Sequence, residues 1–160
     1  MSMRTLVLVL YLAAPALADT SVAPDAKIGD FELSWSRQEH SMDSNGQSET
    51  FTLRGNKLTW TWSYSGYHPS RDFVRNKKKT VTVKDPASLR AIIAKGKLDH
   101  DRSITLPPDQ HQSYSVTLKL GKITVAASGG HPPSSDEPPP EGWPALAELH
   151  DALSSIVADR

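Results

Sequence analysis

Residues 51–64, FTLRGNKLTWTWSY, decide the fold of this chain. Apolar and aromatic side chains alternate with polar ones on both sides of the dipeptide Gly55-Asn56. A two-residue loop there pairs Leu53 with Leu58 and places every apolar residue of the segment on one face. Glycine at the first loop position suits a type II′ turn, whose first residue has a positive φ. The segment therefore predicts a β-hairpin with one buried face.

The same alternation of period two predicts strands on both sides of this hairpin. Upstream, Phe31, Leu33 and Trp35 alternate with polar residues. Placing these residues on the same face as Phe51 and Leu53 requires a loop of odd length, so we expect a three-residue loop at Ser44–Gly46 with a bulge-type turn at Gly46, or a longer loop. Downstream we expect a turn at 65–70, an exposed approach and then a strand within 71–85, and a second hairpin at 113–127 about Gly121-Lys122.

Two amphipathic helices are predicted. The first begins at Asp85-Pro86, an N-cap acceptor followed by proline, and ends at Gly96. Residues 98–108 lack strong periodicity and predict a connection. The second helix begins near Trp143. Its apolar stripe consists of Leu146, Leu149, Leu153, Ile156 and Val157.

Together these elements predict an α+β fold with the order ββββ-α-ββ-α. One-sided alternation is typical of an antiparallel sheet with one apolar face, and two amphipathic helices are suited to covering that face. We therefore expect a mainly antiparallel sheet of about six strands, with both helices packed on the same side.

The N-terminus has the three parts of a secretory signal peptide. Arg4 supplies the positive charge, Leu6–Leu12 is an unbroken apolar run, and Ala16 and Ala18 are the small residues of a cleavage site. The apolar stretch of about 14 residues is shorter than the roughly 20 that a membrane-spanning helix needs. We therefore expect residues 1–18 to be removed and the protein to be exported, either to the periplasm or to the medium.

Length and composition narrow the class of protein. The chain has 160 residues, which suits one domain, and its formal net charge of zero gives no electrostatic reason to expect nucleic-acid binding. The absence of cysteine excludes disulfides, thiolate catalysis and cysteine-based zinc sites. An exported domain without cysteine favours a bacterial source. We expect a flexible tether at 19–27 and a single domain at 28–160 that contains a proline-rich loop at 129–144.

No catalytic or cofactor-binding motif stands out in the sequence. The six histidines form no local metal-binding pair, and Asp99-His100-Asp101 is the nearest approach to a cluster. A nucleophile elbow, the serine–lysine motif of penicillin-binding proteins and the glycine-rich nucleotide loops are all absent. We therefore expect no metal, no cofactor and no enzyme activity, although a small hydrolase with an unrecognised site is one alternative.

Aromatic and basic side chains are the best candidates for contact with a partner. Parity places Trp60 and Trp62 on the core face, which argues against a stacking platform for sugars or bases. The basic stretch Arg71–Lys84 is either a solvated edge strand, protected by lysines from edge-to-edge pairing, or a patch for another protein or an anionic surface. The candidate contact residues are Tyr64, Tyr67, Arg71, Arg75, Lys77, Lys78, Lys79 and Trp143.

The order of parts resembles that of the emfourin-type bacterial inhibitors of thermolysin-like metalloproteases. The resembling pieces are a leading strand, the helix Pro86–Lys95, the step Leu106-Pro107-Pro108, Asp109 with the strand Tyr114–Leu118, and the final helix Leu146–Val157. Ser36-Arg37-Gln38-Glu39 stands in place of the Gly-Gly-Phe-x-Gly signature of that family. The resemblance therefore implies the fold, and it assigns a protease-contacting role to no residue.

The function that we expect is that of an exported, non-catalytic binding or interaction domain. A second reading is a proteinaceous inhibitor of a secreted metalloprotease. The proline-rich loop is either a plain tether or a projecting segment that loses little entropy on docking, and the latter would suit an inhibitor.

Overall fold

The computed structural model describes residues 32–42, 45–68 and 71–158, and for residues 67, 68 and 71–73 it describes the backbone alone. The predicted signal peptide at 1–18, the tether at 19–27 and Phe31 lie outside the described residues. The elements are β1 (Glu32–Ser41), β2 (Gly46–Arg54), β3 (Lys57–His68), β4 (Arg71–Thr82), α1 (Ala87–Lys95), β5 (Arg102–Thr105), β6 (Gln112–Leu120), β7 (Ile123–Gly129) and α2 (Trp143–Ala158).

These strands form one seven-stranded sheet with the order β4-β3-β2-β1-β6-β7-β5. Every neighbouring pair is antiparallel except β5 with β7, which is parallel. The buried side chains of the sheet lie on one face, where they form a single core with the buried side chains of both helices. The fold is therefore α+β with a mostly antiparallel sheet, as predicted.

Both predicted hairpins are confirmed in register. Leu53 pairs with Leu58 across the first turn, and Leu120 pairs with Ile123 across the second. Gly55 has a φ of 59°, the left-handed backbone conformation that the first position of such a turn requires and that glycine adopts without strain. A slip of one residue in either hairpin would turn its apolar side chains to solvent.

The predicted connection at 98–108 is wrong in its middle, because Arg102–Thr105 forms the short strand β5 beside β7. Ile104 is the one buried residue among its four, so the segment is too short to show alternation. The sheet consequently has one strand more than the expected six.

Two strands also extend beyond their expected ends. The predicted turn at 65–70 is wrong for residues 65–68, which continue β3, and the predicted exposed approach is itself part of β4. The two segments pair with each other as far as His68 and Arg71. A strand at the edge of a sheet is exposed to solvent along its length, so many of its residues are polar. Such a strand lacks the alternation of apolar and polar residues by which strands are recognised in a sequence.

The loop between β1 and β2 has the expected parity but a different position. Gly46 pairs with His40 inside the sheet, so the expected bulge-type turn at Gly46 is wrong. Residues 43 and 44 lie outside the described part. A Cβ added to Gly46 would lie 2.8 Å from Nδ1 of His40. A side chain at this position would therefore displace the exposed ring of His40.

The end of α1 also differs in detail from its prediction. Gly96 is the C-cap with a φ of −82°, and the left-handed residue is Lys97, with a φ of 51°. The N–H of Lys97 donates to the carbonyl of Ala94 and that of Leu98 to the carbonyl of Ile93, which is the Schellman pattern. The absence of a side chain at Gly96 allows α1 to approach α2, because a Cβ there would lie 2.2 Å from the Cβ of Ala145.

The apolar stripe of α2 is confirmed, because Leu146, Leu149, Leu153 and Val157 are buried and Ile156 is partly buried. The expectation that Trp60 and Trp62 are core residues is wrong in degree. Both lie on the helix-covered face, but Trp60 is only partly buried at the margin of the core, and Trp62 is partly exposed and outside it.

The proline-rich segment contains neither helix nor strand between residues 130 and 142. Its ends are held to the domain: the N–H of Gly130 donates to the carbonyl of Pro107, and Glu141 lies 3.4 Å from the guanidinium of Arg102. Residues 134–139 between these anchors are exposed. In the part of the chain that the structure describes, no helix is long and apolar enough to cross a membrane.

Candidate functional site

The helix-covered face of the sheet is organised in rows, with one residue from each of five neighbouring strands. The first row is apolar and buried: Leu120, Leu33, Leu53, Leu58 and Val81. Two residues further along each strand, the row is Leu118, Trp35, Phe51, Trp60 and Lys79. The two rows beyond it, here called the open rows, are Val116, Arg37, Glu49, Trp62 and Lys77, and Tyr114, Glu39, Gln47, Tyr64 and Arg75.

Helix α2 runs across the second row. The ring of His150 packs against that of Trp35 with a centroid distance of 4.7 Å and an interplanar angle of 35°. The ammonium of Lys79 donates to the carbonyl of Val157 over 2.6 Å. On β3 and β4 the residues of the open rows are partly or fully exposed. Composition therefore changes from apolar to charged and aromatic at the line where the helix stops covering the sheet.

A buried carboxylate is the centre of the first open row. The Oε1 atom of Glu49 accepts a hydrogen bond of 2.8 Å from the indole N–H of Trp60. Its Oε2 atom lies 3.2 Å from Nη2 of Arg37 and 3.1 Å from Nε2 of His150. These four residues, the glutamate cluster, join β1, β2, β3 and α2. Among the described residues, Glu49 is the one buried residue that is polar or charged.

The environment of Glu49 acts on its pKa in two directions. Burial would raise the pKa, but the hydrogen bonds from His150 and Trp60 and the positive charge of Arg37 outweigh burial and hold it below the ordinary value of 4.5. Glu49 is therefore an ionised structural carboxylate at neutral pH. The neighbouring phenol of Tyr114 has a raised pKa because of its own burial.

The glutamate cluster does not have the geometry of a hydrolytic triad. Ser154 Oγ lies 3.4 Å from Nε2 of His150, the same ring nitrogen that faces Glu49. A nucleophile is activated when the histidine accepts its proton on one nitrogen while the carboxylate holds the other. Because an ionised carboxylate only accepts hydrogen bonds, Nε2 donates to Glu49 and is not available as a base for Ser154. The cluster therefore orients α2 on the sheet.

An aromatic–basic patch forms the other end of the open rows. It consists of Trp62 and Tyr64 on β3 and of Lys77 and Arg75, which pair with them on the edge strand β4. The two rings are nearly parallel, with an interplanar angle of 10° and centroids 6.3 Å apart. The ammonium of Lys77 lies 5.3 Å from the centroid of the Trp62 ring, within the range of a cation–π contact.

The structure brings together three of the predicted contact residues, namely Tyr64, Arg75 and Lys77. Lys78 is exposed on the same strand but pairs with Thr61, and so belongs to the opposite face. Lys79 belongs to the helix-covered face but caps α2 through its bond to residue 157.

Three other predictions do not join this group. Trp143 begins α2 and lies edge-on to Tyr114, with ring centroids 6.0 Å apart, at the β6 side of the sheet. The backbones of Tyr67 and Arg71 belong to β3 and β4, and the side chains of both lie outside the described part.

Sequence reasoning missed Arg37, Glu49 and His150. A usable signal was present, because Arg37 and Glu49 occupy the inward parity of two adjacent strands and pair directly across them. A charged residue at an inward position on each of two neighbouring strands indicates a buried ion pair or an uncovered stretch of the face. His150 gives no such signal, since a single polar residue on a helix flank is common.

Within the described ranges, no group of three or more histidine, aspartate or glutamate side chains is placed to hold a metal ion. A comparison of the sequence with protein-family models gives no match, and a comparison with curated proteins gives none either. The resemblance to emfourin-type inhibitors therefore stays a prediction.

Proposed function

We propose that this protein is a non-catalytic binding domain that takes an acidic, extended segment of a partner protein as an added strand along β4. The observation that carries the proposal is the character of that strand: β4 is twelve residues long, forms an edge of the sheet and presents basic side chains to both faces. An edge strand offers a row of backbone donors and acceptors that an extended peptide can use.

The charge of β4 selects the chemistry of the partner. This strand has five basic residues, Arg71, Arg75, Lys77, Lys78 and Lys79, against one acidic residue, Asp72. The whole chain is neutral, so this excess is local. Like charges oppose pairing with a second copy of β4, whereas an acidic strand is attracted. The lysines that protect the edge from self-association thus specify an acidic occupant.

The aromatic–basic patch adds a side-chain contact to this backbone pairing. Neighbouring strands lie about 4.8 Å apart, so an added strand would lie roughly 10 Å from β3. Long side chains of the partner would reach across Lys77 and Arg75 to the rings of Trp62 and Tyr64. Aromatic rings beside cations are typical anchors of protein interfaces.

We also propose that the protein acts after export, in the periplasm or the medium. The features of residues 1–18 support this proposal. Mass spectrometry of the protein recovered from outside the cytoplasm tests it. We expect a mature chain that begins at Asp19, and an intact N-terminus would contradict the proposal.

The test of binding uses two designed peptides of twelve residues, one alternating glutamate with threonine and the other alternating lysine with threonine. Fluorescence anisotropy of labelled peptides measures the affinity of each. We expect the acidic peptide to bind, the basic peptide not to bind, and the affinity for the acidic peptide to fall as salt screens the charges.

Charge reversal on the edge strand supplies the decisive variant. Exposed ion pairs contribute about 0.2–1 kcal/mol each, so the double variant Lys77→Glu/Lys78→Glu should weaken binding of the acidic peptide roughly tenfold. The matched control Lys119→Glu/Lys122→Glu makes the same charge change at the exposed β6–β7 turn and should leave the affinity nearly unchanged. Equal losses in both variants would show that only net charge matters.

A further measurement tests whether the protein binds anionic vesicles that contain phosphatidylglycerol. Binding to the vesicles without binding to the acidic peptide would overturn the proposal in favour of an anionic surface.

The proline-rich loop supports the inhibitor as a second proposal. Residues 134–139 are exposed between two anchored ends, and a loop held in this way loses little entropy on entering a groove. A thermolysin-like protease assayed with a micromolar excess of the protein tests it. Inhibition is expected, and full residual activity would exclude that role.

A further inference from the structure

The proline-rich loop is acidic at its exposed tip. Residues 130–142 contain five prolines, three carboxylates and no lysine or arginine. One carboxylate, that of Glu141, already faces a guanidinium on β5. The other two, those of Asp136 and Glu137, are exposed in a turn, and the prolines at 138–140 follow directly. The loop therefore presents two carboxylates to solvent beside a short run of proline.

This loop and the aromatic–basic patch belong to opposite edges of the sheet. The cations of the patch lie on the edge strand β4, whereas the ends of the loop are held beside β5, the other edge. Five to six strand spacings of about 4.8 Å separate β4 from β7 and β5, a distance of roughly 24–29 Å. The turn begins at Ser134, which lies four residues after the anchored Gly130 and thus at most about 14 Å from it. The acidic turn therefore does not reach the cations of β4 in its own molecule.

The loop and the patch are complementary in their chemistry. Proline-rich segments have a preformed, extended backbone that docks on aromatic rings, and carboxylates pair with cations. In the patch, the ammonium of Lys77 lies 5.3 Å from the centroid of the Trp62 ring. Residues of a polyproline helix rise about 3.1 Å each, so a proline packed on this ring places a carboxylate one or two residues earlier within reach of the ammonium. The chain as a whole is neutral, so no net repulsion opposes contact between copies.

We propose that the acidic tip of the proline-rich loop in one molecule binds the aromatic–basic patch of a second copy, so that the protein self-associates head to tail. The prolines at 138–140 pack on the rings of the patch, and Asp136 and Glu137 face its cations. Because the two contacting surfaces differ, the contact can repeat from molecule to molecule. The inference rests on the proposed function in that the same patch receives acidic side chains, but it needs no added strand, since proline has no N–H to donate to a β-ladder.

Sedimentation velocity over a series of protein concentrations measures this self-association. We expect the weight-average sedimentation coefficient to rise with concentration at low salt. It should return to the monomer value at about 1 M salt, where the Debye length is about 3 Å. A protein that stays monomeric at low salt up to millimolar concentration would overturn the inference.

Two double variants identify the contacting surfaces. The loop variant is Asp136→Lys/Glu137→Lys, and the patch variant is Trp62→Ala/Lys77→Ala. Each should weaken self-association at least tenfold. An equimolar mixture of the two should form one-to-one heterodimers and nothing longer, because only the intact loop of one variant and the intact patch of the other can meet. Undiminished self-association in either variant, or a mixture that stays monomeric, would contradict the assignment.

A control variant separates the loop contact from a general effect of charge. Glu32→Lys/Glu148→Lys makes the same charge change as the loop variant at two other exposed positions, and it should self-associate as the wild type does. A loss as large as that of the loop variant would show that net charge alone drives the association, and would overturn the inference.

The acidic twelve-residue peptide distinguishes this inference from the proposed function. At saturation the peptide should return the wild-type protein to the monomer, since both occupants use the patch. Peptide binding by a protein that is monomeric without the peptide would refute self-association and leave the proposed function intact. Self-association through the loop with no binding of the peptide would refute the added strand and leave this inference intact.

Discussion

Replacing Glu49 by glutamine tests the structural role of the glutamate cluster. The substitution keeps the shape of the side chain but removes the charge that faces Arg37 and accepts bonds from Trp60 and His150. Hydrogen bonds to charged groups contribute about 1.5–3 kcal/mol and neutral ones about 0.5–1.5 kcal/mol. The two hydrogen bonds, each weakened by about 1–1.5 kcal/mol, predict a loss of about 2–3 kcal/mol in the free energy of unfolding at pH 7, and Arg37 is left without its counter-ion.

The loss should depend on pH with a definite sign. Because the pKa of Glu49 is lowered in the folded state, its contribution to stability is fully present above the unfolded pKa and is lost as pH falls through the folded pKa. Wild type and Glu49→Gln should therefore converge in stability as the pH is lowered from 5 towards 2, where both carry a neutral side chain.

Urea unfolding followed by tryptophan fluorescence, repeated across this pH range, measures the effect. Glu32→Gln is the matched control, because Glu32 faces Arg54 at the surface with most of its side chain exposed, and its loss should stay below about 0.5 kcal/mol. A difference between wild type and Glu49→Gln that does not change with pH, or one no larger than that of the control, would refute the reasoning.

Three further changes test the packing of the helices, each by the shift in the free energy of unfolding. Lys97→Gly should stabilise the protein by about 1 kcal/mol, because glycine adopts the left-handed backbone at this position without strain. Gly96→Ala should destabilise it by about 2 kcal/mol, since the new methyl would lie 2.2 Å from Cβ of Ala145. Lys79→Gln should cost about 0.5–1 kcal/mol through the lost bond to the carbonyl of Val157.

The elements that have one solvent-exposed face and one buried face could be predicted from the sequence. In the hairpin of residues 51–64, two-fold alternation and a glycine turn indicate the same register, and that register is the observed one. The stripe of α2 is equally clear, because its apolar residues recur at helical spacing over about three turns. Such elements are recognisable because burial on one side leaves a periodic trace.

The edge strands escaped prediction for the opposite reason. β4 is basic and exposed along much of its length, and β5 buries one residue, so neither leaves an extended alternation. The glutamate cluster escaped because His150 and Glu49 are 101 positions apart, and only the packing of α2 brings them together. The same basic residues that concealed β4 were nonetheless selected as candidate contacts, since charge is visible without knowing the strand.

Hydrogen exchange along β4 is the most direct test of the proposed strand addition. With the acidic twelve-residue peptide at saturation, we expect the amides of β4 that point away from β3 to exchange more slowly, while those of the core strands β1 and β6 stay unchanged. Peptide binding with no added protection on β4, or protection on another strand instead, would contradict the account.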